Sequence, residues 1–300
     1  MSALEAQLKA RFGERLRANR MLAEFTSFRI GGPADLLVEV EDEGELKDAL
    51  AAANQHGAQA FCLGAGTNLL VSDRGMRGLV IRLGRGFEKI EIEGRHAIAG
   101  AGAQFGTLVE KVVERGLAGL EFGEGIPGTV GGGLVMNAGA FGGELAKVVT
   151  MVHGVTVGGE LQKLNPEQVK FAYRRTELPR GFIITRVEFE LSDGDREALK
   201  SRVADLKSRR AAHQPGGFPN AGSIFKNPPG NFAGRLLEGC GLKGERMGNA
   251  AFSEHHANFI VNLGDARAAE VRALIDLARK RVKESTGVCL EPEVKLVGDW

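Results

Sequence analysis

Two glycine-dense stretches carry the residues best suited to binding a phosphate-rich ligand. The longer runs from residue 123 to 143 and mixes its glycines with Ile126, Thr129 and Asn137. The shorter, residues 63–71, reads Leu-Gly-Ala-Gly-Thr-Asn-Leu-Leu-Val. Glycine permits positive φ and close backbone approach, so consecutive main-chain N–H groups can point at an anion. We interpret the two stretches as two faces of one cofactor site whose phosphates are bound by main-chain N–H groups.

The spacing of these glycines does not match two common nucleotide-binding motifs. Gly64 and Gly66 lack the third glycine and the later acidic residue of the Rossmann fingerprint, and no Gly-Lys-Ser/Thr of P-loop type occurs. Together the stretches favour a dinucleotide held mainly by the backbone, with side-chain hydrogen bonds from Thr129 and Asn137.

A basic pair follows the single tyrosine of the chain, in the order Tyr173-Arg174-Arg175. A guanidinium group offers a rigid two-pronged donor for a carboxylate. A solvated basic turn beside a core aromatic explains the same residues equally well. The sequence by itself leaves both interpretations open.

Other polar residues have ordinary explanations when each is taken alone. Ser223 lacks the Gly-x-Ser-x-Gly context of a hydrolase nucleophile, so a turn hydroxyl is the default. His255 and His256 are adjacent, and on a strand they would point to opposite faces and could not share a metal. Glu291 and Glu293 are two apart and would share one face of a strand, as a solvated acidic edge does.

Composition narrows the class of protein. The chain has 300 residues, of which 43 are glycine, about twice the usual share of ~7%. The net charge of +1 argues against a nucleic-acid surface.

Cys62, Cys240 and Cys289 are far apart, which predicts reduced thiols rather than a disulfide framework or a zinc site. No signal-peptide or membrane-spanning pattern is present, and we expect a soluble cytoplasmic protein.

Hydrophobic periodicity predicts the elements that position these residues. An amphipathic helix is expected from Leu4 to Leu16. A βαβ-like unit with strands 36–40, 60–63 and 79–83 surrounds the short glycine stretch, and a second unit with long strands 148–157 and 182–191 follows the long one.

The later part of the chain is predicted to form a third unit after the turn-rich passage 213–222. A helix containing Leu199 is expected to be capped by Ser192 or Asp193, and a helix containing Val271 by Asp265. The C-terminal stretch 290–297 is predicted to be a strand that returns to the middle unit.

Eight ordered motifs resemble the UDP-N-acetylenolpyruvoylglucosamine reductase family, also called UDP-N-acetylmuramate dehydrogenases. The resemblance runs in register from about residue 24 to residue 298. The motifs occupy residues 26–35, 64–73, 125–132, 136–142, 173–174, 221–228, 256–262 and 290–294.

The resemblance implies an α+β fold, in which a two-part FAD-binding region of the vanillyl-alcohol-oxidase (PCMH-like) type is followed by a C-terminal α+β substrate-binding domain. The corresponding domains are residues 1–85, residues 86–207 joined by the C-terminal strand 289–300, and residues 208–288. No inserted segment separates Tyr173 from Phe182, so the chain resembles the shorter (type II) form and must cover its substrate differently from the longer form.

The resemblance also assigns roles to individual residues. It makes Arg174, Ser223 and Glu293 catalytic. Substrate contacts are implied for Phe141, Tyr173, His213, Asn227, His256 and Lys295. Contacts to FAD are implied for Gly64, Ala65, Gly66, Thr67, Asn68, Gly125, Ile126, Pro127, Gly128, Thr129, Gly131, Gly132, Asn137, Ala138, Gly139 and Ile184.

Four of these positions depart from the residues found in some or many family members. His256 replaces a glutamine, Lys295 an arginine, and Phe141 a tyrosine. His213 replaces a lysine that touches the substrate diphosphate, and a neutral histidine there would weaken that contact.

The implied reaction has two halves. NADPH reduces FAD, and reduced FAD then passes hydride to C3 of the enolpyruvyl group of UDP-N-acetylglucosamine-enolpyruvate, while Ser223 protonates C2. Arg174 would stabilise the charge that builds on the carboxylate side. The product, UDP-N-acetylmuramate, is a precursor of bacterial peptidoglycan, and no metal is implied.

Two alternatives stay open at this point. A flavin-dependent oxidase of the same fold would send its electrons to oxygen, and a non-catalytic nucleotide-sugar binding protein would have kept the fold without turnover. The joint presence of Arg174, Ser223 and Glu293 argues against both. We expect a monomer or weak dimer with no nucleic-acid or membrane partner.

Overall fold

The computed structural model describes residues 2–300. The chain divides into two compact units. The first contains the chain through Ala18, Leu36–Ala65 and Gly78–Arg209, and the second contains Asn19–Asp35, Gly66–Arg77 and Arg210–Trp300.

The helices in chain order are α1 Ala3–Phe12, α2 Glu43–Gln55, α3 Phe105–Glu114, α4 Val130–Val135, α5 Pro166–Val169, α6 Arg196–His213, α7 Ala233–Gly239 and α8 Ala268–Thr286. The strands are β1 Leu16–Met21, β2 Pro33–Val40, β3 Ala60–Cys62, β4 Leu69–Val71, β5 Met76–Leu83, β6 Ile90–Glu93, β7 His96–Gly100, β8 Leu117–Ala118, β9 Gly139–Ala140, β10 Gly143–Glu144, β11 Val149–Val155, β12 Leu161–Leu164, β13 Ile183–Glu190, β14 Ser192–Asp193, β15 Asn220–Ser223, β16 Arg246–Met247, β17 Ala250–Phe252, β18 Phe259–Asn262 and β19 Lys295–Val297.

A five-stranded antiparallel sheet is the largest sheet of the first unit. Its order is β12-β11-β13-β7-β6, and Val152 on β11 pairs with Val187 on β13. The alternating apolar residues that predicted the two long strands are those buried in its core. A four-stranded sheet has the order β1-β2-β5-β3, in which β3 and β5 are parallel.

The core of the second unit lies between the sheet β15-β18-β17-β16 and the helices α7 and α8. Helix α8 buries the apolar stripe that its sequence period predicted, including Val271, Leu274 and Ile275. Strand β19 pairs in parallel with β4 in the same unit.

Several predicted element boundaries were wrong. Helix α1 ends at Phe12 because Gly13 takes a φ of 55°, and Leu16 begins a strand instead of completing the helix. Ser192 and Asp193 form β14, and the carboxylate of Asp195 accepts the Ala198 N–H at 2.8 Å at the start of α6.

The predicted cap of α8 was also wrong. The Asp73 carboxylate, not that of Asp265, accepts the N–H groups of Ala268 and Ala269 at 2.7 and 3.0 Å. This contact joins residues far apart in sequence, which a local capping pattern does not detect.

The C-terminal strand departs from its predicted partner. It was expected to join the middle unit, but Lys295–Val297 pairs with Leu69–Val71. Because Asn262 Nδ2 also donates to the Phe28 carbonyl at 3.0 Å, segments 19–35 and 66–77 group with the C-terminal part of the chain. Tertiary pairing, not position in the sequence, therefore decides these groupings.

Candidate functional site

The start of the short glycine stretch meets the long stretch within the first unit. A Cβ added at Gly64 would lie 3.0 Å from Oγ1 of Thr129, so there is little room for a side chain there. The N–H groups of Gly64, Ala65, Gly125 and Gly128 make no hydrogen bond to another residue within the described range 2–300. Unused main-chain donors on both stretches are the arrangement that an anionic ligand requires.

Backbone hydrogen bonds hold the long stretch against β7 and α3. The Phe105 N–H donates to the Gly128 carbonyl at 2.9 Å, and the Val130 N–H donates to Ala103 at the same distance. Gly131 packs so closely that an added Cβ would lie 2.9 Å from the Ala101 Cβ. Glycine at this position is therefore required by packing.

A cavity of about 790 Å³ adjoins Gly125–Gly128, between α3 and α6. Its lining includes Gln104 and Thr107 on one side and Lys200 and Lys207 on the other. No sequence motif marks these four residues, and the two lysines are typical of the solvated face of a helix.

Some predicted cofactor contacts are parts of the core. Ile184 lies on β13 opposite Gly154 and is 5% exposed, and Ala138 is 6% exposed. Asn137 is 2% exposed and uses its side-chain amide on protein groups. The side chains of these three residues are therefore buried within the protein.

Arg174 occupies a tight turn in the first unit. Ala172 and Arg175 exchange both main-chain hydrogen bonds, at 2.9 and 3.1 Å, so Tyr173 and Arg174 are the two central residues. Arg174 has a φ of 54°, a conformation that costs a non-glycine residue about 1 kcal/mol or more. Its guanidinium lies over the Tyr173 ring, 5.3 Å from the centroid.

Phe141 lies in a second turn of the first unit, at the tip of the β9–β10 hairpin. Gly143 pairs with Ala140, and the two loop residues Phe141 and Gly142 have φ values of 52° and 83°. Positive φ at both positions is typical of a type I′ hairpin. The Phe141 side chain is 47% exposed.

In the second unit the other two predicted catalytic residues lie on paired segments. The Glu293 N–H donates to the Ile224 carbonyl at 2.8 Å, and Ile224 directly follows Ser223. The Lys226 N–H donates to the Glu291 carbonyl at 2.9 Å. Pro292 fills the intervening position, where no donor is needed.

The remainder of the short glycine stretch supports this pair of segments. Asn68 Nδ2 donates to the Glu293 carbonyl at 3.2 Å, and the Lys295 N–H donates to the Asn68 carbonyl at 3.0 Å. Gly66 has a φ of 64°, and an added Cβ would lie 2.2 Å from the Phe25 carbonyl oxygen. The family motif at 64–73 therefore also fixes where Glu293 lies.

An ion pair joins the segment that follows Ser223 to the segment that contains Glu293. Lys226 Nζ lies 2.5 Å from Glu291 Oε1, with 12% of the lysine side chain exposed and 70% of the glutamate. The sequence pattern indicates a solvated acidic edge at Glu291 and gives Lys226 no partner. The structure instead pairs the two.

The predicted substrate contacts of the second unit differ in their surroundings. Asn227 Oδ1 accepts the Ala233 N–H at the start of α7, at 3.0 Å. His256 is half-buried, and its Nδ1 accepts the Asn258 N–H at 3.1 Å, which places the proton of the neutral ring on Nε2. Lys295 is exposed on β19, and His213 is exposed at the last residue of α6.

The surroundings of His256 lower its pKa. Burial is the main cause, a backbone hydrogen bond acts in the opposite direction, and the neighbouring His255, His213 and Lys243 lower the pKa further. His255 itself contacts the Ala212 carbonyl through Nε2 at 3.0 Å, which brings it to the end of α6.

Residues 2–300 contain neither a metal-binding cluster nor a membrane-spanning helix. No group of three or more histidine, cysteine or acidic side chains has a geometry that could hold a metal ion. None of the helices is both long and apolar enough to cross a membrane.

Sequence comparison matches the chain to two family models. Residues 34–165 match an FAD binding domain, and residues 214–297 match the C-terminal domain of UDP-N-acetylenolpyruvoylglucosamine reductase. A UDP-N-acetylenolpyruvoylglucosamine reductase of Symbiobacterium thermophilum is 49% identical over 95% of this chain and 92% of its own length. One from Rubrobacter xylanophilus is 43% identical over 97% of this chain and 96% of its own.

Solved structures agree with these matches. The crystal structure of UDP-N-acetylenolpyruvylglucosamine reductase from Thermus caldophilus superimposes with a TM-score of 0.82 at 40% identity, covering 94% of this chain and 99% of that one. A BBE-like protein of Physcomitrella patens shares the fold alone, with a TM-score of 0.56 at 16% identity, over 96% of this chain and 90% of that one. The predicted fold, an FAD-binding region followed by a C-terminal α+β domain, is confirmed. The chain therefore belongs to the UDP-N-acetylenolpyruvoylglucosamine reductase family of FAD-dependent oxidoreductases.

Proposed function

We propose that this protein uses NADPH to reduce the enolpyruvyl group of UDP-N-acetylglucosamine-enolpyruvate, giving the peptidoglycan precursor UDP-N-acetylmuramate. The observation that carries the proposal is the pairing of segment 223–226 with segment 291–293, which ties Ser223 and Glu293 to one rigid support. Family membership supports the substrate class, because the relatives are named for this reduction.

The residues of the first unit fit FAD. The unused N–H groups of Gly64, Ala65, Gly125 and Gly128 are donors suited to a diphosphate, and close packing at Gly64 and Gly131 keeps side chains out. Bound FAD would accept a hydride from NADPH and deliver it to C3 of the substrate. The residues of the chain itself bind and orient the substrate and transfer the proton.

Arg174 binds the substrate carboxylate in this proposal. Negative charge grows on C2 and the carboxyl oxygens after C3 receives hydride, and a preorganised guanidinium stabilises that charge. The turn between Ala172 and Arg175 holds the arginine backbone in place before substrate arrives. Such preorganisation avoids reorienting the cation during the reaction.

Ser223 donates the proton that C2 requires. A hydroxyl is a weak acid, so the resulting alkoxide must regain a proton from a neighbouring group or water. Because Lys226 Nζ is bound to Glu291, an ordered water is the simpler source. Glu293 acts protonated or through a hydrogen bond, since a bare carboxylate would repel the charge forming on the substrate.

Anaerobic visible spectroscopy of the purified protein tests this function. Flavin absorption bands should disappear on addition of NADPH and return on addition of the enolpyruvyl sugar. Return of the bands only with oxygen would favour an oxidase, and bands that NADPH leaves unchanged would favour a binding protein without turnover.

Ser223→Ala separates the two half-reactions. We expect NADPH to bleach the flavin at the wild-type rate, because no proton from Ser223 is needed, and substrate to restore the bands at least 100-fold more slowly. Ser208→Ala, on helix α6, is the matched control and should change neither rate. Slow bleaching in Ser223→Ala would contradict the assigned role.

A further inference from the structure

Asn137 links two turns that carry predicted substrate contacts. Its side chain is almost fully buried, with 2% exposed. Nδ2 donates to the Ala172 carbonyl at 3.2 Å and to Glu144 Oε2 at 3.1 Å, and Oδ1 accepts the Ala146 N–H at 3.0 Å. Both amide hydrogens and the amide oxygen are therefore engaged by protein groups.

The two linked turns share an unfavourable backbone conformation. Ala172 begins the turn with Arg174 at φ 54°, and Glu144 ends the hairpin with Phe141 at φ 52°. Asn137 itself has a φ of 41°. Left-handed non-glycine residues persist only where the surrounding structure fixes them, and they concentrate at functional sites.

We propose that Asn137 is a positioning residue that fixes the Arg174 turn and the Phe141 hairpin relative to each other. Its amide bridges the two turns, and the residue itself lies within the long glycine stretch that fits the cofactor. Part of the proposal, the effect on substrate reduction, rests on the proposed function of Arg174. The Asn137 side chain thus acts through the turns and does not contact the flavin.

The test uses Asn137→Gly, because glycine adopts positive φ without strain and only the side chain is lost. Asn19→Gly is the matched control, since Asn19 is an exposed asparagine with a φ of 52°. The first readout is hydrogen exchange of the Arg175 amide, which closes the Arg174 turn on the Ala172 carbonyl at 3.1 Å. We expect at least tenfold faster exchange in Asn137→Gly and no change in Asn19→Gly.

The second readout is the pair of anaerobic half-reactions with the FAD-loaded protein. Asn137→Gly should keep its FAD content and its rate of reduction by NADPH within twofold, while re-oxidation by the enolpyruvyl sugar slows at least tenfold. Because the effect of Asn137 on re-oxidation passes mainly through the Arg174 turn, adding Asn137→Gly to Arg174→Ala should slow re-oxidation by less than a further twofold.

Three results would overturn the proposal: unchanged exchange at Arg175, loss of bound FAD without a change in exchange, or additive effects of the two substitutions. The proposed function fails separately, if the sugar does not re-oxidise the wild-type flavin. In that case exchange at Arg175 still decides whether Asn137 holds the turn.

Discussion

Three candidate-site residues of the first unit, like Lys170 elsewhere in it, have an unusual backbone conformation. Asn137, Phe141 and Arg174 all have positive φ, although none is glycine. Selection for stability alone favours glycine at such positions. We therefore predict that the side chain of Arg174 contributes to function rather than to stability.

Arg174→Gly should separate stability from function. Relief of the backbone strain offsets the lost contact with Tyr173, so we expect the free energy of unfolding to stay within about 0.5 kcal/mol of wild type. Re-oxidation of the flavin by substrate should fall by about 10²- to 10³-fold. Urea unfolding and stopped-flow absorbance measure the two effects.

The neighbouring Arg175 provides the control for this substitution. Arg175 has no positive φ and makes an exposed ion pair with Glu177 at 3.4 Å. Arg175→Gly should therefore lower the free energy of unfolding by about 0.5–1 kcal/mol and leave re-oxidation unchanged. Equal stability losses in both variants would argue against strain at Arg174.

His256 should make stability depend on acid pH. Its pKa is lowered in the folded protein, mainly by burial, so the unfolded chain binds the proton more readily. Stability is unaffected well above the ordinary histidine pKa of about 6.5 and decreases as pH falls through that value toward the lowered folded pKa. Protonation of Nδ1 also removes the hydrogen bond from the Asn258 N–H.

His256→Gln supplies the comparison, because it cannot titrate. The loss of unfolding free energy between pH 7.5 and pH 5.5, measured by urea unfolding, should be larger in wild type than in the variant. Equal losses in both proteins would assign the acid sensitivity to other groups.

At the scale of elements, the Ser223 and Glu293 segments are held together by three kinds of contact. Main-chain hydrogen bonds set the register, Pro292 occupies the position that needs no donor, and the Lys226–Glu291 pair closes the end. The two charges of this pair differ greatly in exposure. Their removal should therefore have unequal effects.

Glu291→Gln should lower the free energy of unfolding by about 1–3 kcal/mol, because it leaves the nearly buried Lys226 ammonium without its counter-ion. Lys226→Met should cost less than about 1 kcal/mol, since the remaining Glu291 carboxylate is mostly hydrated. Asp205→Asn, in an exposed pair on α6, controls for loss of a surface ion pair. Equal losses for the first two variants would contradict this account.

At the scale of the whole molecule, FAD binding should contribute to stability. A ligand that binds only the folded state adds about 2.7 kcal/mol when its free concentration is a hundredfold above Kd. Thermal unfolding of the FAD-free protein should therefore shift to higher temperature as FAD is added.

Gly64→Val should reduce that shift, because the added side chain enters space next to Thr129 Oγ1. Gly239→Ala is the control, since an added Cβ there meets no atom within 4 Å and lies away from the glycine stretches. A full FAD-dependent shift in Gly64→Val would remove Gly64 from the cofactor site.

The order of residues along the chain was enough to predict the family that the chain resembles, the long segments that form helices or strands, and the residue types suited to the chemistry. Local periodicity predicted β11, β13 and α8, because one face of each is buried and its apolar residues recur with the period of the element. The glycine stretches were recognisable because positive φ and close packing restrict the residue type.

The way in which distant segments combine could be seen only in the folded chain. Asp73 caps α8, β19 pairs with β4, and Asn137 bridges two turns through contacts between residues distant in sequence. Capping patterns and periodicity describe only neighbours along the chain, whereas these contacts depend on which segments the packed core brings together. Asn137 was therefore predicted to bind the cofactor, and only the fold revealed the groups that its amide binds.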